Sequence, residues 1–108
     1  MIRRHVALAN EFAHWIRDEE GFELLAPVSL ALVCFRYRPK GMDANSEEVN
    51  ALNKRLLQKV NGSGEVYLTH TVLRGRYTIR MCVGQLYTER KHVERAWELL
   101  KASANRIG

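Results

Sequence analysis

Apolar residues recur at helical spacing through the first twenty positions of the chain. Ile2, Val6, Ala9, Ala13 and Ile16 fall on one stripe, and Leu8, Phe12 and Trp15 form a second beside it. At about 100° per residue the two stripes cover roughly 180° of a helix, wider than the roughly 100° that a one-sided surface helix needs. Either the domain wraps around this helix, or one stripe is meant for a partner surface that the chain lacks. The spare stripe predicts self-association, with Leu8, Phe12 and Trp15 as the candidate surface.

Gly21 ends that helix, and Phe22 to Ala26 forms a short apolar segment closed by Pro27, which cannot donate to a sheet ladder and marks a strand end. Leu30 to Phe35 is a continuous apolar run, the pattern of a central strand covered on both faces. It then alternates, with Phe35 and Tyr37 on one side and Arg36 and Arg38 on the other, as a strand running out into water. Pro39-Lys40-Gly41 is a turn. Asn45 is the expected cap of a second helix, with Glu48 as its capping-box partner. Val49, Leu52, Leu56 and Val60 form the apolar stripe of that helix, Lys54, Arg55 and Lys59 face away, and Asn61-Gly62 supplies a left-handed stop.

From Val66 to Val83 the period changes to two. Val66, Leu68, His70 and Val72 alternate with Tyr67, Thr69, Thr71 and Leu73. Past Arg74-Gly75-Arg76, Tyr77, Ile79, Met81 and Val83 share one face, and Thr78, Arg80 and Cys82 the other. Two strands joined at a glycine predict an antiparallel hairpin. Gly84 interrupts it, Thr88 is the expected N-cap of a last helix with Glu89 in its first turn, and Val93, Ala96, Trp97, Leu100 and Ala104 line that helix. The order α-β-β-α-β-β-α gives an α+β domain: a four-stranded, mainly antiparallel sheet with three helices covering one face. No repeat, low-complexity stretch or linker interrupts it, so residues 1–108 are expected to form a single domain.

With 108 residues the chain allows one modest core, too little for an enzyme that places its site between a large and a small domain. A composition that is 46% hydrophobic and 27% charged excludes disorder, collagen and a disulfide-stapled scaffold. Cys34 and Cys82 lie far apart in apolar runs and read as reduced core residues of a cytosolic protein. No apolar segment of secretory type follows Met1-Ile2-Arg3-Arg4-His5, and the run Leu30 to Phe35 is too short to cross a bilayer. A cytoplasmic location without a membrane partner is the expectation.

The net charge of +5, from 17 Lys+Arg against 12 Asp+Glu, leaves one alternative, a free-standing basic module for nucleic acid or another anionic partner. The charges are spread from Arg3 to Arg106, as on a solvated surface. Arg74-Gly75-Arg76-Tyr77-Thr78-Ile79-Arg80-Met81 begins like an RNA-binding strand, yet Arg76, Thr78, Arg80 and Cys82 supply no rings for base stacking. Nucleic acid is therefore disfavoured.

Residues for independent catalysis are scarce. His5, His14, His70 and His92 sit in different elements without metal-ligand spacing, and no metal site is expected. Gly62 and Gly64 make G-x-G, but the loop follows a helix and precedes a strand, the reverse of a dinucleotide fingerprint. Arg80 stands out as a permanent cation in the middle of a strand. It reads either as an arginine on a solvated sheet face or as a fork of donors for a carboxylate or phosphate. His70, on the other strand of the hairpin, reads as a core or sheet-surface histidine.

Ile2-Arg3-Arg4-His5-Val6-Ala7-Leu8-Ala9 with Phe12, then Phe22-Glu23-Leu24, Leu32-Val33-Cys34-Phe35-Arg36, Tyr77-Thr78-Ile79-Arg80-Met81, and Thr88 followed by His92-Val93 and Ala96-Trp97, occur in order along the chain. This set resembles the C-terminal segment of the aromatic-L-amino-acid, tyrosine, tryptophan and DOPA decarboxylases, group II enzymes dependent on pyridoxal phosphate (PLP). The resemblance implies the small C-terminal domain of a fold-type I PLP enzyme, packed on a large domain that holds the cofactor, in a homodimer with sites at the interface. It also makes Arg80 the candidate for substrate-side or interdomain ion pairing.

The family's cofactor lysine follows a histidine in the large domain, whereas none of Lys40, Lys54, Lys59, Lys91 or Lys101 does, and Lys91-His92 is the reverse order. The expectation is thus a truncated homologue or separate domain of a carboxy-lyase, noncatalytic and binding no cofactor alone, partnered by a second copy or by a large-domain decarboxylase chain.

Overall fold

The computed structural model describes residues 2–28, 31–43, 46–83 and 89–107, with the side chains of residues 2–4 outside that set. The elements are α1 (Ile2–Asp18), β1 (Phe22–Leu24), β2 (Leu32–Tyr37), α2 (Glu47–Gly62), β3 (Thr69–Leu73), β4 (Arg76–Cys82) and α3 (Arg90–Ile107). All strand pairs are antiparallel, in the order β1-β2-β4-β3. The α+β architecture is the one expected. Asn45, Gly84 and Thr88, to which the sequence assigns a cap, a break and a cap, lie outside the described residues, as does Leu30.

Both apolar stripes of α1 are used within the chain. Ala9, Phe12, Ala13 and Ile16 are fully buried and Leu8 nearly so, while Trp15 is half-buried at the rim of the core. The Phe12 ring stands edge-on to Phe35 of β2 at 5.4 Å and to Trp97 of α3 at 5.8 Å. This corrects the assignment of Leu8 and Phe12 to an association surface: the sheet and α3 wrap the helix on both stripes, and among the described residues of those stripes Val6 and Trp15 alone stay partly exposed.

Gly21 closes α1 with φ of +93°, and a Cβ there would stand 3.2 Å from the Tyr37 ring, so the position takes glycine for its backbone and for its space. Arg74 and Gly75 both have positive φ, the geometry of a two-residue type I′ hairpin loop between β3 and β4.

Expected boundaries move at α2 and β3, and β1 ends at Leu24 instead of Ala26. Helix α2 is capped by Ser46, whose hydroxyl accepts from the Glu48 N–H, one residue beyond the Asn45 position. It runs through Asn61-Gly62 to a right-handed C-cap at Ser63, and positive φ first occurs at Gly64. Strand β3 begins at Thr69 and not at Val66, because the Asn61 side chain takes both the N–H and the C=O of Leu68.

The core lies between helices and sheet, on the face carrying Val33, Phe35, Ile79 and Met81, all fully buried. Helix α2 is tied to the sheet by polar contacts as well. The Asn53 side chain accepts from the Tyr37 N–H and donates to the Tyr37 carbonyl, each at 2.8 Å, and Asn50 accepts from the Tyr77 N–H and donates to the Gly75 carbonyl.

Candidate functional site

Strand alternation puts Glu23, Cys34, Arg36, Thr78, Arg80 and Thr69 on the sheet face away from the core, and the register sets them side by side. Glu23 pairs with Arg36, Cys34 with Arg80, and Arg80 with Thr69. Leu25, Ala26 and Pro27 line a cleft of about 390 Å³ with Val72, Leu73, Arg74 and Arg76. Since β1 and β3 are opposite edges, the segment after β1 crosses the sheet on the side that the helices leave open.

This face is not the solvated surface that the Arg36/Arg38 alternation suggests. Arg36 is fully buried, and its Nε donates to Glu23 Oε1 at 2.6 Å. Glu23 Oε2 accepts from Arg38 Nε at 3.1 Å, and Arg38 also donates to the Met42 carbonyl. Thr78 is buried as well, its hydroxyl donating to the Arg76 carbonyl. A strand carrying alternate arginines stays buried here because a carboxylate on the neighbouring strand meets them.

Arg80 is held differently. It is half-buried between Cys34 and Thr69, and its Nε is shut off from solvent with no hydrogen-bond partner among the described residues. No carboxylate among those residues forms an ion pair with it. Burial pushes the Cys34 thiol up from its ordinary range, and the neighbouring Arg80 charge offsets part of that rise. A guanidinium with a dry, unsatisfied donor is suited to receive a carboxylate from outside the described residues.

The remaining sequence candidates are dispersed. His14 lies 3.1 Å from Asp18 on α1, His70 is exposed and stacked on Tyr77 at 4.6 Å, and His92 lines a cleft of about 600 Å³ with Asn61, Glu65, Tyr67 and Arg95. Arg95 donates to both Glu65 carboxylate oxygens there and holds that carboxyl below its usual range. Among the described residues no group of three or more His, Cys, Asp or Glu could hold a metal ion, and no helix is long and apolar enough to cross a membrane. Lys40, Lys54, Lys59 and Lys91 are exposed, and the Lys101 ammonium lies over the Trp97 ring.

Fold and face together define a small α+β domain with an open antiparallel sheet and, near its middle, a half-buried arginine that no carboxylate among the described residues pairs with. The chain matches a small domain of the group II PLP decarboxylases. It is 42% identical over 100 residues to the aromatic-L-amino-acid decarboxylase of Catharanthus roseus, covering 93% of this chain and 19% of that protein. It is 39% identical over 111 residues to the phenylacetaldehyde synthase of a Rosa hybrid cultivar, covering 98% of this chain and 22% of that protein. The crystal structure of Oryza sativa TDC with PLP and tryptamine superposes with a TM-score of 0.90 at 37% identity, covering 98% of this chain and 23% of that one. The chain therefore spans about a fifth of the length of the relatives it matches. No family model matches it.

Proposed function

We propose that this chain works as the C-terminal small domain of a PLP-dependent enzyme acting on aromatic amino acids, a carboxy-lyase or a related aldehyde synthase. The observation that carries the reading is the pairing of near-complete coverage of this chain with coverage of only a fifth of its relatives. In this reading the chain is noncatalytic alone, a truncated or separate domain in the cytoplasm, and a large-domain polypeptide in a dimeric assembly supplies the cofactor site.

PLP supplies an electron sink for the carbanion left by loss of CO2, and it is held through a lysine amine kept out of water. The residues described here do not fit that group: four lysines are exposed, and the fifth is committed to an aromatic ring. No chemical step is assigned to this chain. Its contribution is Arg80, whose half-buried guanidinium is the group set to pair with a carboxylate of the substrate or of the large domain.

The test is complementation. Catharanthus roseus decarboxylase shortened by the segment matching this chain is co-expressed with the chain, and amine release from L-tryptophan and L-tyrosine is followed. The expected result is co-purification with restored turnover, and at least a tenfold lower kcat/KM with Arg80→Gln. Failure to bind the shortened enzyme, or CO2 release by this chain alone, contradicts the reading.

A further inference from the structure

Strand β3 forms one edge of the sheet, paired only with β4 among the described residues. Its outward N–H and C=O groups form a row that only another extended backbone can satisfy in full. The opposite edge, β1, is three residues long and carries the paired Glu23, the kind of short, charged edge that resists further pairing. The β3 edge has no such guard. Val66 to Leu73 is eight residues without a charge, in a chain that is 27% charged. Tyr67 and Val72, the large hydrophobic side chains most exposed among the described residues at 64% and 61%, both lie on this segment.

We infer that this edge pairs with the same edge of a second copy, joining two four-stranded sheets into one of eight strands. The inference does not depend on the decarboxylase reading. Two features select a second copy over other occupants. Two identical edges related by a two-fold axis perpendicular to the sheet are necessarily antiparallel, the geometry already used throughout this sheet. Along Val66 to Leu73 no like charges meet, although each chain carries +5.

A two-fold axis through Thr71 sets Thr69 against Leu73 of the second copy and Val72 against its His70, all uncharged pairs. His70 is a flat platform, stacked on Tyr77 with 9° between the ring planes, and it gives each exposed Val72 an apolar cover. One five-residue strand pair buries less than the roughly 1,200 Å² of a standard stable interface. The dimer is therefore concentration-dependent.

Sedimentation of the full chain across a thousandfold concentration range tests this, with amide exchange read at both ends of the range. The expected result is a reversible monomer–dimer equilibrium, with slower exchange at 69–73 in the concentrated sample. Val72→Lys, at an exposed position, weakens the dimer at least tenfold with an unchanged thermal melt. Adding His70→Glu to that variant restores the dimer, because the new charges face each other across the axis. Trp15→Ala leaves the equilibrium unchanged. A monomer at every concentration, a dimer indifferent to Val72→Lys, or protection at 69–73 that appears only when a decarboxylase chain is added overturns the inference.

Discussion

Glu23 accepts from two guanidinium groups at once, and one of them, on Arg36, is fully withdrawn from water. Removing its negative charge strands a buried cation, a loss of roughly 3–5 kcal/mol when both partners of a pair are buried. The Glu23 side chain is 27% exposed, so Glu23→Gln is expected to cost about 3 kcal/mol, the lower end of that range, read from the urea unfolding midpoint. A change under about 1 kcal/mol would mean that other contacts neutralise Arg36. The Glu65–Arg95 pair is the contrast: both side chains are about half exposed, and Arg95→Gln should leave the midpoint nearly unchanged. Alternation along β2 and β4 makes the shared face of Arg36 and Arg80 legible in the sequence. The burial of Arg36 is not legible, because Glu23 lies thirteen residues earlier, in a strand too short to show any period. For the same reason the contrast between Arg36, met by a carboxylate, and Arg80, met by none among the described residues, emerges only from the register.

Helix α2 shows a similar division between what a pattern carries and what pairing adds. Its apolar stripe of Val49, Leu52, Leu56 and Val60 is buried as the spacing predicts, but Asn53 is buried within it, fully enclosed. The Asn53 amide satisfies both backbone groups of Tyr37 and also donates to the Val49 carbonyl. Asn53→Ala leaves an N–H and a carbonyl at the end of β2 without partners, and at about 1–3 kcal/mol for each unsatisfied buried group the expected loss is about 2–4 kcal/mol. Thermal unfolding of the variant checks this, and a shift no larger than that of an exposed substitution such as Lys54→Ala would contradict it. The signal that could have revealed the contact is the spacing of Asn50, Asn53 and Asn61 along one side of the helix, since each takes both a backbone N–H and a backbone carbonyl from the strands or the segments next to them. Hydrophobic periodicity passes over these residues because it reads asparagine only as polar. The wide apolar arc of α1 was equally legible, yet its meaning was decided by α3 and β2, which close over both stripes.

At the scale of the molecule, the chain is built as a core closed between helices and sheet, with a second sheet face that the helices leave uncovered. Its similarity to plant decarboxylases runs through nearly all of its own residues and about a fifth of theirs. The element order, the antiparallel sheet and the resemblance were all readable from the sequence, because they rest on local periods and ordered motifs. The location of unpaired chemistry was not, since it depends on which strands become neighbours. The proposed role, a domain that supports a cofactor enzyme without holding the cofactor itself, is tested most directly by incubating the chain with PLP, reducing with borohydride and mapping the labelled lysines by mass spectrometry. Only sparse labelling is expected, spread over the exposed Lys40, Lys54, Lys59 and Lys91. Stoichiometric labelling of a single lysine, protected from competing amines, would contradict it.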